Sequence, residues 1–398
     1  MRWKRRAVIA GIGAVAVAVN LATPAAGTTT DRRPAPVTVG FIEQTEGAIV
    51  TPEFGTAVEA MVDYFNAELG GVGGRRMEAR LCATDDTAAS AEACARRFAA
   101  ADDVHLVIES TTNPTAIADV LAPAGKPLLA GGIELGNMLR PGVFVMEPGT
   151  AGTALGLFTY AATDLGVTHM TVFHADDPAV EATIPVIDHI TSSVGIEVDA
   201  YVPLGFEGDL TGPISEGLQG QSDGVAFIVA PDQCAPAGQA LQSLGVDLPV
   251  VAAELCLTDD IVGTGAVQDW HAGIQSVAPV ADGGREAERI RGILARYGEG
   301  AEPGGLAGLG VGYTWIARDV LARAGGPRAT DATVMRVLTR YASDDVLGFD
   351  EVACPGPGSF VGACNQSILM VQVDGEALYD VGGFVQGDYG ILEELLGG

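Results

Sequence analysis

Two hydrophobic periods alternate along this chain. Val37-Thr-Val-Gly-Phe-Ile42 is a short apolar run suited to a buried strand, and residues 43–50 read as a polar loop. Phe54, Val58, Met61, Val62, Phe65 and Leu69 then recur at helical spacing and define one buried face. Thr51 and Pro52 stand where an N-cap and a first helical residue belong. Gly70-Gly71-Val72-Gly73-Gly74-Arg75 stops that helix, and Met77-Glu-Ala-Arg-Leu-Cys82 starts the next strand. A second helix after Asp85-Asp86 leads to a strand at 104–108, a helix entered at Pro114, and strands at 127–130 and 143–146, with a loop at 131–137 between the last two.

Glu147-Pro-Gly-Thr150 reads as a crossing point, because a second strand-and-helix series starts there. Helices at 151–165, 180–194, 210–220 and 235–244 alternate with strands at 168–174, 196–202, 225–229 and 248–252. A strand at 274–278 is followed by helical regions at 285–297 and 310–324, and a hairpin turning at Asp374-Gly375 closes the pattern. Strands alternating with helices make parallel sheets, whose loops at the strands' C-terminal ends are free to bind a ligand.

The first 30 residues fall outside this pattern. Arg2, Lys4, Arg5 and Arg6 precede an apolar run from Ala7 to Val19, and small residues at 22–27 form a cleavage region. Residues 1–30 read as a secretory signal peptide, ordinary or of twin-arginine type, with an uncleaved anchor helix as the alternative, followed by a tether at 31–36. No cysteine precedes Cys82, so no lipoprotein anchor is expected. Removing residues 1–30, which hold four basic and no acidic residues, takes the net charge from −29 to −33. Such a surface repels nucleic acid and anionic lipid, and the chain is expected outside the cytoplasm, in the periplasm or at the cell exterior.

The six cysteines form three near-neighbour groups, which favours the pairs 82–94, 234–256 and 354–364. Each short loop so closed stabilises by about 3 kcal/mol in the chain-entropy model. The spacing lacks a close pair with a neighbouring histidine, so neither metal nor cofactor is expected.

The segment with strand Val39-Gly-Phe-Ile42, Phe65-Asn66-Ala67-Glu68, Gly70-Gly71-Val72-Gly74-Arg75 and Asp85-Asp86 resembles the leucine/isoleucine/valine-type periplasmic binding proteins, the extracytoplasmic receptors of ABC importers. The resemblance extends over nearly all of the chain after the signal. It implies an α/β protein of two Rossmann-like lobes with parallel-sheet cores, joined by a multi-strand hinge. Residues 37–147 and 281–343 would form lobe one, 148–280 and 344–390 lobe two, and 391–398 a C-terminal tail. The partners it implies are a small-molecule ligand, an amino acid or relative, and the membrane permease subunits. The protein itself would be a monomer, with no nucleic-acid partner.

The same resemblance assigns site residues. Ser110 and Thr111, in the loop Ser110-Thr111-Thr112-Asn113-Pro114, match a hydroxyl-rich loop that takes the ligand's carboxylate; plain helix capping by Thr112 or Asn113 is the alternative. Gly132 and Glu134 fall where the family uses a backbone group and a hydroxyl, and the hydroxyl is missing. Glu254 matches the acid that pairs with the ligand's ammonium, against the alternative of an exposed loop glutamate. Where the family has cleft aromatics this chain has Ile49, Pro178 or Ala179, and Ala230, so a branched-chain ligand does not follow. Asp176, Asp177 and Asp232 are expected to face water.

No nucleophile elbow, zinc-protease helix or phosphate loop is present, and the five histidines are scattered, with His174 alone at a strand end. The reading is therefore a solute-binding protein and not an enzyme. An extracellular sensor domain acting through a membrane receptor is the alternative.

Overall fold

The computed structural model describes residues 35–396 apart from 48, 49, 133, 207, 302, 304 and 305. The expected signal segment, residues 31–34 of the tether and Ile49 lie outside the described residues.

Five parallel strands form the first sheet: β1 (Val37–Gln44), β2 (Met77–Thr84), β3 (Val104–Ser110), β4 (Leu128–Ala130) and β5 (Val143–Val145), in the order β2-β1-β3-β4-β5. Between them run α1 (Pro52–Glu68), α2 (Ala88–Ala99), α3 (Pro114–Leu121) and α4 (Leu135–Met138). Every residue of β1 is buried, as in a strand covered on both faces, and that explains its unbroken apolar run.

The second series contains α5 (Gly149–Thr163), β6 (His169–Ala175), α6 (Pro178–Glu181), α7 (Ile184–Ser193), β7 (Glu197–Leu204), α8 (Thr211–Gly217), β8 (Gly224–Ile228) and α9 (Pro231–Leu244). It continues through β9 (Val250–Ala253), a 3-10 turn (Glu254–Leu257), α10 (Asp259–Val262) and β10 (His271–Ile274). The chain then returns to the first sheet as α11 (Gly284–Tyr297), α12 (Ala307–Arg323) and α13 (Asp331–Leu338), with α11 and α12 packing on α1. A small ladder of β11 (Ala342–Ser343) and β12 (Val352–Ala353) precedes the hairpin β13 (Ser367–Asp374) and β14 (Ala377–Gln386), and α14 (Tyr389–Leu395) follows. The second sheet has the order β14-β13-β10-β9-β8-β6-β7, parallel from β10 to β7 and antiparallel at the hairpin.

Three disulfides close as the spacing favours: Cys82–Cys94, Cys234–Cys256 and Cys354–Cys364. The last loop also lies against the first sheet, where Val145 donates to Gly362 O at 2.7 Å and receives a bond from Cys364 N–H at 2.9 Å. Among the described residues no helix is long and apolar enough to cross a membrane.

Four local expectations change. β1 runs on to Gln44, so Glu43 and Gln44 are buried strand residues and not loop. Thr51 is the N-cap of α1 and Pro52 its first residue, yet the Thr51 hydroxyl makes no capping bond. The strand expected at 274–278 ends at Ile274, and the apolar Val277 and Ala278 fill the core from a turn. Residues 391–395, expected as tail, belong to α14, which buries Leu392.

Candidate functional site

Parallel strands end together, so whatever follows β1, β3, β4 and β5 collects at one edge of the first sheet. There the chain places three glutamates that sequence patterning gave no reason to bury: Glu43, Glu109 and Glu147, with exposures of 8%, 1% and 7%. Glu109 Oε1 receives the N–H of Gly131 at 2.5 Å, and Glu147 Oε1 receives that of Gly132. Consecutive backbone donors of the loop after β4 are thus held by two carboxyls from its neighbours on either side. Burial drives the carboxyls of Glu109 and Glu147 up to about 7, with each other's proximity adding to the shift at Glu109. Glu43 is likewise pushed up to about 7, by burial first and then by the charge of Glu59.

The loop after β4 can approach Glu147 so closely only because glycine lies on both sides. A Cβ on Gly132 would stand 2.5 Å from Gly149 Cα, and one on Gly149, whose φ is +62°, would stand 2.3 Å from Gly132 O. Two tyrosines brace the same region. Tyr313 of α12 donates to Ala130 O at 2.8 Å, and Tyr389 of α14 donates to Pro148 O at 2.6 Å.

The hydroxyl loop after β3 is more committed than its sequence suggests. Thr111 donates to Glu109 Oε2 at 3.0 Å and accepts from Asn113 N–H at 3.1 Å. Thr112 N–H and Oγ1 both donate to Gln44 Oε1, at 3.0 and 2.7 Å. Asn113 is the N-cap of α3 but its side chain does not cap; it reaches Asp86 O instead. Gln44, from the neighbouring strand, therefore takes both donors of Thr112, and the N-cap side chain of α3 makes no capping bond. Ser110 Oγ lies 2.9 Å from Thr51 Oγ1. Two hydroxyls in one mutual bond use one of their two protons, so this pair retains a donor.

Gly132 donates its N–H to Glu147, as above. Glu134 accepts from Thr115 Oγ1, which also lies near Asn137 Oδ1. Both residues sit at the expected loop, and both already have partners within the protein.

On the second sheet Glu254 opens the 3-10 turn directly after β9 and is partly buried. It accepts bonds from the side chain and the backbone N–H of Gln275, just beyond β10. Its carboxyl is raised to about 7, first by burial and then by the charge of Glu147. Glu254 and Glu147 come from different sheets, yet lie near enough for the charge of Glu147 to raise the Glu254 carboxyl. Gln275 Oε1 is buried and makes no hydrogen bond.

The remaining candidates are peripheral. Pro178, Asp176 and Asp232 are exposed, and Ala230 is half-buried with its N–H bonded to Gln233 Oε1. His174 is buried, with Nδ1 2.9 Å from Ala175 O, a structural partnership. Among the described residues, no group of three or more His, Cys, Asp or Glu could hold a metal ion.

Residues 36–376 match the model of the periplasmic binding protein family, and the chain belongs to that family. Solved structures agree on the fold. A leucine-binding protein of Thermotoga maritima superposes with a TM-score of 0.66 at 17% identity, covering 88% of this chain and 99% of its own. A branched-chain amino acid ABC transporter protein of Thermus thermophilus with bound valine gives 0.71 at 14% identity, covering 92% and 100%. A fatty acid ABC transporter substrate-binding protein of Thermomonospora curvata gives 0.66 at 13%, covering 88% and 91%. No curated protein sequence matches the chain. The two α/β sheets with parallel cores are thus the type I periplasmic-binding fold.

Proposed function

We propose that this protein is an extracytoplasmic solute-binding protein that holds a small polar ligand bearing an ammonium group, an amino acid or relative, between the two sheets and passes it to an ABC permease. The observation that carries the reading is the electrostatic influence of Glu147 on Glu254 from the other sheet, with Gln275, the partner of Glu254, keeping a buried and unpaired Oε1. Every one of these groups can accept a hydrogen bond, which is what an ammonium requires. The proton left over on the Thr51–Ser110 pair supplies a donor for a carboxylate on the opposite side. Thr111 has the lesser role of fixing Glu109, and Gly132 and Glu134 would shape the loop. The aromatic walls of the family are missing at Ala230 and Pro178, and the fold hosts fatty-acid as well as amino-acid binders among its structural neighbours, so the side chain of the ligand stays open.

A thermal-shift screen of amino acids, amides and amines would supply a ligand, and calorimetry on Glu254→Gln would test the assignment. Removing the charge but keeping the size should weaken binding by about 2 kcal/mol, the lower end for a buried charged pair. Because the empty-site carboxyl is raised to about 7, affinity should rise as pH climbs through that value and the acid ionises; Glu254→Gln should flatten the rise. Parent-like affinity in the variant would remove the ammonium from the reading.

A further inference from the structure

The charges of this chain are unevenly divided. Residues 37–147 and 281–343, the first sheet and its returning helices, contain 16 Lys and Arg against 23 Asp and Glu. Residues 148–280 and 344–398, which build the second sheet, contain no Lys or Arg and 27 Asp and Glu. An acidic surface that serves solubility alone acts through net charge and has no reason to exclude cations from one half of a molecule. The ion pairs follow the same division: Arg80–Asp103, Arg140–Asp119, Arg296–Glu68 and Lys126–Asp331 all lie on the first half.

Within the anionic half one place is also apolar. Phe206 and Leu255 are 53% and 57% exposed, the highest values among the large exposed hydrophobics of the described residues. They lie on loops after different strands, and the start of α9 ties those loops together. Gln233 donates to Gly205 O at 3.1 Å, next to Phe206, while Cys234 is joined to Cys256, next to Leu255. Exposed Asp232, Asp259 and Asp260 stand in the first turns of α9 and α10, within a few residues of Cys234 and Leu255 in the chain. Those acids also offset the helix dipoles, but no dipole explains two large apolar side chains left in water beside them. Exposed apolar anchors beside clustered charge are the composition of an interface.

We infer that Phe206 and Leu255, held around the start of α9 by the Cys234–Cys256 disulfide, form a docking patch for a protein surface that carries lysine or arginine around apolar pockets. This goes beyond the solute-binding reading and is tested without the small ligand. The probe is a synthetic amphipathic helical peptide of leucine and lysine, added to the full chain and followed by backbone hydrogen exchange and by affinity. Protection should concentrate at residues 205–210 and 254–262. Phe206→Ser with Leu255→Ser should weaken binding at least about tenfold, while Leu69→Ser with Leu81→Ser, on exposed apolar positions of the first half, should leave it unchanged. The triple change Asp232→Asn, Asp259→Asn and Asp260→Asn should also weaken it, and should reduce its loss when salt rises from about 20 to about 300 mM. Protection spread evenly over the anionic half, or equal binding of a lysine and serine peptide, would reduce the patch to unspecific charge and overturn the inference. So would a dimer in sedimentation that the Phe206 and Leu255 changes abolish, since the occupant would then be a second copy.

Discussion

The two sheets hold their buried acids in different ways. On the first, Glu109 and Glu147 grip the N–H groups of Gly131 and Gly132, which are backbone atoms of a loop packed against Gly149. On the second, Glu254 is held by Gln275 in two ways, through its backbone N–H and through a side chain that can turn away. A carboxyl bonded to fixed backbone is a strut, whereas one bonded to a rotatable side chain can change partners without moving the chain. The same residue type is thus pinned by loop backbone on the first sheet and shares a movable partner on the second.

The most severe way to break that contrast is Gly149→Ala. The new methyl would meet Gly132 O from a left-handed backbone, and the loss should be about 3 kcal/mol in urea unfolding. A parent-like midpoint would mean that the loop after β4 yields, and the strut description would fail.

Next in size is a pH effect. The folded carboxyls of Glu109 and Glu147 sit near 7, above an unfolded value near 4.3, so between those limits the folded protein keeps protons the unfolded chain has released. Their contribution is complete below about 4.5 and is lost as pH rises to about 7. Carboxyls held low, such as Asp103 beside Arg80, act only below about 3.8 and do not enter that window. Glu43 and Glu254, also raised to about 7, titrate in the same window, so Glu109→Gln with Glu147→Gln should remove about half of the slope between pH 5 and 8; a slope left intact would place its origin in other groups.

The gentlest change is Gln275→Ala, which should cost about 1 kcal/mol, one hydrogen bond in a partly exposed place. A cost matching that of Gly149→Ala would show the second sheet's acid to be as firmly built in as the first sheet's.

Much of this architecture was legible in the apolar periods. β1, β3 and the face of α1 read directly because burial on two faces, or on one helical stripe, leaves a continuous signal. β10 was misplaced because it contains Gly273, where a Cβ would come 2.3 Å from Ile368 Cδ1; the strand needs a small residue there, while the apolar residues that follow plug a turn. Of the candidate site, Glu254 and the hydroxyl loop were proposed from likeness to a family. Glu43, Glu109 and Glu147 were missed, since an acid in a sequence reads as surface. Their one available sign was position: each directly follows an apolar strand run, where a parallel sheet delivers its loops. Thr51 was noticed as a cap, but its link to Ser110 spans 59 residues and has no local signature.

The pairing of β10 with β13 also orders events in time. His271 faces Gln372 and Ile274 faces Leu369, so a strand in the middle of the second sheet waits for one made about a hundred residues later. The first sheet waits as well, since α1 is covered only when α11 and α12 return. A growing chain released before residue 367 would present β10 with an open row of backbone donors and acceptors, a template for pairing with other chains. Such long-range closure makes folding slow and late. The β13–β14 hairpin, which lies apart from the candidate glutamates, thus decides when the molecule becomes safe from aggregation.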